Sequence, residues 1–370
     1  MKDITKFVKP HVLDVKSDYE ILTQFLSSKI ISDIMTSEET IRMVANENPY
    51  GPSPKVLEAV KDSLHLVNRY PDPTYYALST KISEYVGLKQ ENIIVGQGSL
   101  GIIPLIYNAF VDPDDEVILP QPTFEQYEQI LNINGGKPVF IQLHKPDFIL
   151  EPERITERVS PKTKLIIIVN PNNPIGNLTP EESIKRILDE DAIVVIDEAY
   201  FEYCKKTVAP LIPKYENLIV LRTFSKAFGL AGLRIGYGLA NPEIIRQLHK
   251  LQLYFTVNTI SMQAAITALE NIDYAEKVVS ETIKEREYLI EEISKINGLK
   301  PYSSEANFIL IEITKENMDA GKIIAKLLES KILVRNCGDQ RGLNEKFFRV
   351  STSTPENNKK FIRTLKTIMK

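Results

Sequence analysis

A lysine with an unusual set of neighbours follows one of the strands that the sequence predicts. Lys226 comes shortly after the apolar run 218–222, and Thr223, Ser225 and Arg234 lie close to it in the chain. Apolar surroundings lower the pKa of a lysine amine and make it a nucleophile toward an aldehyde. Hydroxyls and a guanidinium are suitable donors for a phosphate group. The group therefore predicts a site for an aldehyde that carries a phosphate.

Polar side chains also follow two other predicted strands. Asp197 comes directly after the run 192–196, and Asn173 lies in a turn-forming segment after the run 164–169. The carboxyl ends of parallel strands line the ligand crevice of an open sheet. A carboxylate there can keep a pyridine nitrogen protonated. The Asn173 amide and the Tyr200 hydroxyl can donate hydrogen bonds to an oxygen on the same ring.

A glycine-rich turn spans residues 96–101, with the sequence Gly-Gln-Gly-Ser-Leu-Gly. The free backbone N–H groups at the start of the helix that follows can bind a phosphate. The same residues match the fingerprint of nicotinamide-dependent oxidoreductases, which also requires an acidic residue at the end of the next strand. The run 116–119 ends in Pro-Gln-Pro instead. The sequence therefore favours a simple phosphate over a dinucleotide.

Short β-branched runs alternate with longer amphipathic segments over most of the chain. This alternation is typical of an α/β fold in which helices cover both faces of a mostly parallel seven-stranded sheet. The seven predicted strands are 92–95, 116–119, 138–143, 164–169, 192–196, 218–222 and 235–239. The helices predicted beside them are 100–110, 123–132, 180–188, 242–251 and 273–296.

The last of these helices is followed by Gly298 and Pro301, which mark the exit from the large domain. We place the large domain at residues 46–297 and a small α+β domain at residues 298–370. Residues 1–45 are expected to form an arm that packs against the small domain or a partner subunit. The remaining predicted elements are strands at 307–313 and 347–351, and helices at 19–35, 318–330 and 355–369.

The charged residues are well mixed along the chain, with 45 Lys and Arg, 49 Asp and Glu, and a net charge of -4. This mixture indicates neither a nucleic-acid nor a membrane partner, so we expect small-molecule partners. The N-terminus lacks the apolar core of a signal peptide, and we therefore expect a cytoplasmic protein. Cys204 and Cys337 have no Cys or His neighbour at metal spacing, so no metal site is predicted.

Several motifs occur in a fixed order from about residue 40 to the C-terminus. They are Asn-Glu-Asn-Pro-Tyr-Gly-Pro at 46–52, Arg-Tyr-Pro-Asp-Pro at 69–73, the glycine turn, Asn-Pro-Asn-Asn-Pro at 170–174, Asp-Glu-Ala-Tyr at 197–200 and Ser-Lys at 225–226. In this order they resemble the class I/II aminotransferases that depend on pyridoxal 5′-phosphate (PLP). The resemblance implies PLP as cofactor, the PLP-dependent transferase fold type I, an amino-group donor and a 2-oxo acid as substrates, and a homodimer.

The resemblance also implies roles for individual residues. Lys226 would hold PLP as a Schiff base and move a proton, Asp197 would bind the ring nitrogen, and Tyr200 would complete the catalytic set. Tyr70 would reach the cofactor of the other subunit. The further PLP contacts that it implies are Gly98, Ser99, Leu100, Phe124, Asn173, Thr223, Ser225 and Arg234. The implied substrate contacts are Arg349, Arg335, Asn48 and Tyr50.

Within the class, the motifs at 46–52, 223–228 and 304–308 are most similar to those of histidinol-phosphate aminotransferases. The implied reaction transfers the amino group of histidinol phosphate to 2-oxoglutarate, a step of histidine biosynthesis. Paired guanidinium groups suit both the phosphate and the carboxylates. His11, as an imidazolium, could also face the phosphate. The chain departs from the usual pattern at 99–101, where Ser-Leu-Gly replaces Ala-Asp-Glu, and at Phe124, where Tyr is commoner.

Other functions stay open on the sequence. The segments 334–337 and 341–343 also resemble PLP-dependent threonine-phosphate decarboxylases, and an aromatic amino-acid aminotransferase is a further alternative. A nicotinamide-dependent oxidoreductase would use the glycine turn, but it lacks the acidic partner. A non-catalytic binding module on the same fold is opposed by the presence of Lys226, Asp197 and Arg234 together.

Overall fold

A computed structural model describes residues 3–13, 15 and 28–370 of the protein. Its strands form two sheets, one of seven strands and one of five. In chain order they are β1 Ile41–Met43, β2 Ile93–Gly96, β3 Glu116–Gln121, β4 Lys137–Gln142, β5 Thr163–Val169, β6 Ile193–Asp197, β7 Leu218–Thr223, β8 Gly236–Ala240, β9 Leu299–Pro301, β10 Phe308–Ile313, β11 Ile332–Asn336 and β12 Phe347–Ser351.

The seven-stranded sheet has the order β2-β8-β7-β6-β5-β3-β4. Strands β3 to β7 pair in parallel, whereas β8 runs antiparallel to both β2 and β7. The carboxyl ends of the parallel strands therefore meet at one edge. This arrangement confirms the predicted α/β fold with a mostly parallel seven-stranded sheet, and all seven predicted strands are present.

Both faces of the central strands are buried. In β5, Ile166 and Ile168 belong to the hydrophobic core on one face of the sheet, and Leu165 and Ile167 belong to the core on the other. Burying each such side chain contributes roughly 1.5–3 kcal/mol. This double burial explains why the central strands are nearly continuous apolar runs and why they could be recognised in the sequence.

Helices cover these faces and surround the smaller sheet. Caps define several of them: Ser53 Oγ accepts a hydrogen bond from the Val56 N–H group, for example, at the start of one helix. The α-helices are Pro10–Leu13, Ser28–Thr36, Pro54–Ser63, Tyr76–Val86, Ile103–Phe110, Gln126–Asn134, Pro152–Thr156, Glu181–Leu188, Phe201–Cys204, Pro242–Leu251, Thr259–Glu270, Ile272–Ser294, Ala320–Glu329 and Pro355–Met369.

Not all of these helices were expected from the sequence. Pro54–Ser63 and Tyr76–Val86 pack against Thr259–Glu270, and none of the three was predicted. Their partners are distant in the chain, so the packing that stabilises them leaves little local signal. Part of the helix predicted at 19–35 lies outside the described residues, and its described part belongs to Ser28–Thr36. Among the described residues, no helix combines the length and apolar character needed to cross a membrane.

The five-stranded sheet has the order β1-β11-β12-β10-β9. Its core includes Met43, Ile309, Phe348 and Phe361, all fully buried. Strand β1 pairs in parallel with β11, and residue 41 lies opposite residue 332. After β1 the chain continues into the helix Pro54–Ser63. The predicted domain boundaries, at 45/46 and 297/298, remain a prediction.

Candidate active site

A cavity of about 340 Å³ opens at the carboxyl ends of the parallel strands, and residues of both sheets line it. Strands β5, β6 and β7 each end beside it. Such strand ends are the usual ligand site of an open α/β sheet. The predicted site residues that line it are Ser99, Leu100, Phe124, Asn173, Asp197, Tyr200, Thr223, Ser225, Lys226, Arg234 and Arg349.

Lys226 lies in this cavity beside a second cation. Its Nζ atom donates a hydrogen bond to the Ala45 carbonyl oxygen at 2.9 Å and lies 5.8 Å from the centre of the Tyr200 ring. Desolvation, followed by the positive charge of Arg349, lowers the pKa of the Lys226 amine to about 8. A substantial fraction of the amine is therefore neutral near physiological pH and can attack an aldehyde.

Asp197 is buried at the end of β6. Its Oδ2 atom accepts a hydrogen bond from the Tyr127 hydroxyl at 2.7 Å, and Oδ1 accepts one from the Ala199 N–H group at 3.0 Å. Burial raises the pKa of the carboxyl to about 6, and these two hydrogen bonds oppose the rise. A positively charged ring nitrogen would relieve the cost of this buried charge. No pattern in the sequence indicated Tyr127 as a site residue.

Hydroxyl, guanidinium and glycine groups form a cradle on one side of the cavity. Thr223 Oγ1 donates to Ser225 Oγ at 2.9 Å, and the Arg234 Nη1 atom donates to the same oxygen at 3.4 Å. Gly98 has a positive φ of 68°, and a Cβ atom added there would lie 2.8 Å from the Arg234 Nη2 atom. The absence of a side chain at Gly98 thus leaves room for the guanidinium beside the glycine turn.

Arg349 connects the opposite side of the cavity to Asn173. The Arg349 Nη1 atom donates a hydrogen bond to Asn173 Oδ1, and Nη2 donates to the Val44 carbonyl oxygen at 2.7 Å. Its Nε atom is buried and has no hydrogen-bond partner among the described residues. Because Asn173 accepts through Oδ1, its Nδ2 group remains a donor. The arrangement suits an anion at Arg349 and an acceptor oxygen at Asn173.

Several predicted site residues do not line the cavity. Asn48 Nδ2 donates a hydrogen bond to the Ala227 carbonyl oxygen at 2.9 Å, directly after Lys226, and the backbone N–H group of Tyr50 donates to Asn48 Oδ1. Tyr70 is 82% exposed and stacks on Phe255 with ring centres 4.7 Å apart. Within this chain, these three side chains are therefore not part of the cavity lining.

His11 is not at this site. It packs against Gly135, where an added Cβ atom would lie 3.2 Å from the His11 Nδ1 atom. Gly135 ends the helix Gln126–Asn134, away from the residues that line the cavity. The imidazole therefore does not line the cavity within this chain, and a role for His11 in binding substrate stays a prediction.

Arg335 forms an ion pair with Glu125, a residue that the sequence did not indicate as part of the site. Its Nη2 atom lies 2.6 Å from Glu125 Oε1, and Gln340 Nε2 donates to Glu125 Oε2 at 2.5 Å. Glu125 and Gln340 both line the cavity. Glu125 directly follows Phe124, so its position in the chain could have made it a candidate, but its partners come from the smaller sheet and the loop after it.

Known proteins resemble this chain over almost all of its length. The sequence profile described as "Aminotransferase class I and II" matches residues 38–365. The chain belongs to this aminotransferase family. A histidinol-phosphate aminotransferase of Methanocaldococcus jannaschii is 39% identical to it, and the match covers 100% of this chain and 97% of that protein. One from Caldanaerobacter subterraneus subsp. tengcongensis is 41% identical, covering 89% and 93%.

A solved aminotransferase structure has the same fold. The histidinol-phosphate aminotransferase of Sinorhizobium meliloti, solved in complex with pyridoxal-5′-phosphate, gives a TM-score of 0.87 at 25% identity. The match covers 98% of this chain and 97% of that one. It confirms the fold of this aminotransferase.

PLP is the cofactor of this aminotransferase family. The cavity fits it on three observations: a lysine amine with a lowered pKa, a buried carboxylate and a cradle that a single Cβ at Gly98 would fill. These groups match the aldehyde, the ring nitrogen and the phosphate of the cofactor. The donor set of this aminotransferase is therefore that of a PLP site.

Proposed function

We propose that the protein transfers the amino group of histidinol phosphate to 2-oxoglutarate, giving imidazole acetol phosphate and glutamate in histidine biosynthesis. The observation that carries this proposal is the buried Arg349 guanidinium, whose Nε atom has no partner among the described residues of the cavity that holds Lys226. A buried guanidinium with a free donor favours an anionic ligand, because buried charges are usually paired. The names of the relatives, which cover nearly all of the chain, favour the phosphate substrate.

Each residue that would hold PLP is assigned to one part of the cofactor. Lys226 would bind the aldehyde and Asp197 the ring nitrogen, while Asn173 and Tyr200 would donate to the ring oxygen and Phe124 would cover the ring. When bound, PLP supplies an electron sink for negative charge at the α-carbon of the substrate. The phosphate would be held by the cradle of Gly98, Ser99, Leu100, Thr223, Ser225 and Arg234.

Proton transfer is assigned to Lys226. An amine with a pKa of about 8 can take a proton from the substrate α-carbon and release it again near neutral pH. The Arg349 guanidinium would bind the substrate anion, and Arg335 would provide a second cation at the rim. Asn48 and Tyr50 are proposed to contact the substrate, since Asn48 is anchored to the residue that follows Lys226.

We further propose that the protein acts as a homodimer in the cytoplasm, with small molecules as its other partners. Tyr70 and Tyr254 are each 82% exposed, and both rings lie beside Phe255, with ring centres 4.7 Å and 6.1 Å from it. Clustered apolar side chains of this kind favour a protein interface. In such a dimer Tyr70 would reach the cofactor of the other subunit. Sedimentation of the PLP-bound protein at micromolar concentration tests this proposal; a monomer would contradict it.

Absorbance measurements test the cofactor and the substrate separately. The purified protein should absorb near-visible light, and borohydride should fix the cofactor on Lys226. Histidinol phosphate should then convert the cofactor from its aldehyde to its amine form, and 2-oxoglutarate should restore it. Threonine phosphate and phenylalanine are the comparison substrates. Release of carbon dioxide from threonine phosphate would favour the decarboxylase, and a protein that binds no PLP would overturn the proposed function.

A further inference from the structure

Three consecutive residues after β1 contact three of the residues assigned to the active site. The Val44 carbonyl oxygen accepts from Arg349, and the Ala45 carbonyl oxygen accepts from Lys226. The next residue makes its contact through a side chain: Asn46 Nδ2 donates a hydrogen bond to the Tyr200 hydroxyl oxygen at 2.9 Å. Of the three contacts, only this last one can be changed by substituting a side chain of the segment.

Asn46 is held on every side. It is 1% exposed, and its φ angle of 55° is in the left-handed region. Its backbone N–H group donates to Ser351 Oγ at 2.9 Å, and its carbonyl oxygen accepts from Asn307 Nδ2 at 3.0 Å. Ser351 Oγ in turn donates to Asn46 Oδ1 at 2.9 Å. Ser351 in β12 and Asn307, which directly precedes β10, thus fix Asn46 beside Tyr200.

These hydrogen bonds determine which end of the Asn46 amide faces Tyr200. Ser351 Oγ already accepts from the Asn46 backbone N–H group, so its own proton requires another acceptor. Asn46 Oδ1 is that acceptor. If the amide nitrogen and oxygen were exchanged, two donors would face the Ser351 oxygen and its proton would be buried without a partner. The Nδ2 group therefore faces Tyr200 as a donor.

We propose that Asn46 is a positioning residue that orients the Tyr200 hydroxyl toward the ring oxygen of PLP. This inference rests on the proposed function, because it requires PLP in the cavity. When the Tyr200 oxygen accepts from Asn46, the Tyr200 proton is left for a different acceptor, and a hydroxyl that accepts one hydrogen bond donates a stronger one. The ring oxygen of the cofactor is the acceptor that this arrangement suits.

The Tyr200 hydroxyl keeps its proton at neutral pH. Burial raises its pKa, and Arg349 and the hydrogen bond from Asn46 oppose that rise. Its edge-to-face contact with Phe308, with ring centres 5.1 Å apart, restricts the ring. Asn46 therefore controls the direction of the hydroxyl proton, the one remaining freedom of this side chain.

Two substitutions separate this role from simple packing. Asn46→Gly removes the donor, and glycine accepts a positive φ without strain. Asn46→Asp keeps the shape and the acceptor for Ser351, but it places an oxygen where the donor was, and that oxygen competes for the Tyr200 proton. Because Asp is isosteric with Asn, this variant carries the test should the glycine variant not fold.

The readout is the visible absorbance of the cofactor in the PLP-bound protein, measured as a function of pH. Its midpoint is the pH at which half of the bound chromophore has lost its proton. A weaker bond from Tyr200 leaves more negative charge on the ring oxygen, which then holds the proton of the chromophore more tightly. The midpoint should rise in Asn46→Gly, but by less than the shift of about one pH unit that complete loss of a hydrogen bond of ordinary strength would produce, because the bond from Tyr200 is weakened and not removed. It should rise further in Asn46→Asp.

Two controls show whether the effect passes through Tyr200. In a Tyr200→Phe background, Asn46→Gly should produce no further shift, because the hydroxyl that it positions is gone. Lys205 also has a φ of 55°, but it is a surface residue that pairs with Glu276. Lys205→Gly should therefore leave the midpoint unchanged.

Each outcome decides one question. Unchanged midpoints in PLP-bound Asn46 variants, or an equal shift in the Tyr200→Phe background, would overturn the role of Asn46 while leaving the proposed function intact. Loss of PLP from both Asn46 variants would also contradict it, because Asn46 would then retain the cofactor instead of orienting Tyr200. Failure of the unsubstituted protein to bind PLP would overturn the proposed function itself.

Discussion

Arg335 and Glu125 form an ion pair at the rim of the cavity, with Arg335 Nη2 2.6 Å from Glu125 Oε1. Glu125 places a negative charge in the cavity lining beside Arg335, the predicted second cation for the substrate. Gln340 Nε2 donates a hydrogen bond to the second carboxylate oxygen of Glu125, Oε2, at 2.5 Å. A substrate phosphate that binds Arg335 must therefore compete with Glu125. The ion pair with Glu125 therefore determines how strongly Arg335 can bind the substrate.

Glu125→Gln is expected to strengthen the binding of a phosphate substrate. The pair is partly exposed, so the gain should be modest, with a KM for histidinol phosphate lower by about two- to fivefold. Steady-state kinetics measure it. Glu128→Gln is the matched control, because Glu128 pairs with Arg341 outside the cavity lining. In an Arg335→Gln background the gain should vanish. A higher KM in Glu125→Gln would instead mean that Glu125 positions Arg335.

Gly98→Ala should weaken PLP binding by about 10- to 100-fold, the effect of losing a charged hydrogen bond. The new methyl group would lie 2.8 Å from Arg234 Nη2 and would displace the guanidinium from the cradle. Gly87→Ala is the control: its φ is 72° against 68° at Gly98, but nothing lies within 4 Å of the new atom. Gly87→Ala shares the positive φ, but its ψ of 23° lies in the left-handed helical region, whereas Gly98, at a ψ of 175°, is in a region that almost only glycine adopts, so Gly98→Ala carries the larger backbone strain. Equal PLP affinity in both, measured by equilibrium dialysis, would contradict the role of the cradle.

Much of the site could be predicted because it follows the strand ends. Asp197 ends a strand whose two faces are buried, and Asn173 and Lys226 each follow such a strand; these strands are visible as apolar runs. The rule that parallel strands present their carboxyl ends to the ligand then brings these residues together. Arg349 lies in the middle of β12, so this rule does not predict it. Its role as a substrate contact was implied by the family resemblance alone.

The remaining site residues depend on contacts between distant segments. Asn46 is fixed by Ser351, which is 305 residues away in the chain, and Glu125 is fixed by Arg335 from the other sheet. Strand β1 has only three residues and exists through its register with β11. No local periodicity encodes such pairings. This is why Asn46, Glu125 and Tyr127 were absent from the predicted site.

Capture of PLP by the cofactor-stripped protein should depend on pH with a midpoint near 8. The Lys226 amine must lose its proton before it can attack the aldehyde, so the rate should rise with pH through the lowered pKa of about 8. Borohydride trapping after short incubations measures the rate. Arg349→Gln should move the midpoint upward, because it removes a nearby positive charge that lowers this pKa. A midpoint near 10.5 in the unsubstituted protein would contradict the lowered pKa.

Asp197→Asn should stabilise the cofactor-stripped protein while it abolishes tight PLP binding. The folded protein raises the Asp197 pKa from 3.8 to about 6, so it binds this proton more tightly than the unfolded chain does. Stability is therefore lost as pH rises between these two values, up to about 3 kcal/mol at neutral pH. The amide carries no charge and escapes that loss, and its nitrogen can donate to Tyr127.

The pH dependence of unfolding distinguishes this effect from an ordinary change in packing. Denaturant unfolding at pH 7 should give the Asn variant the higher free energy of unfolding, and the difference should shrink toward pH 4, where the wild-type carboxyl is largely protonated in the folded protein. Added PLP should reverse the order at pH 7, because it stabilises only a protein that binds it. A difference that is the same at both pH values would show that the buried charge of Asp197 is not its cause.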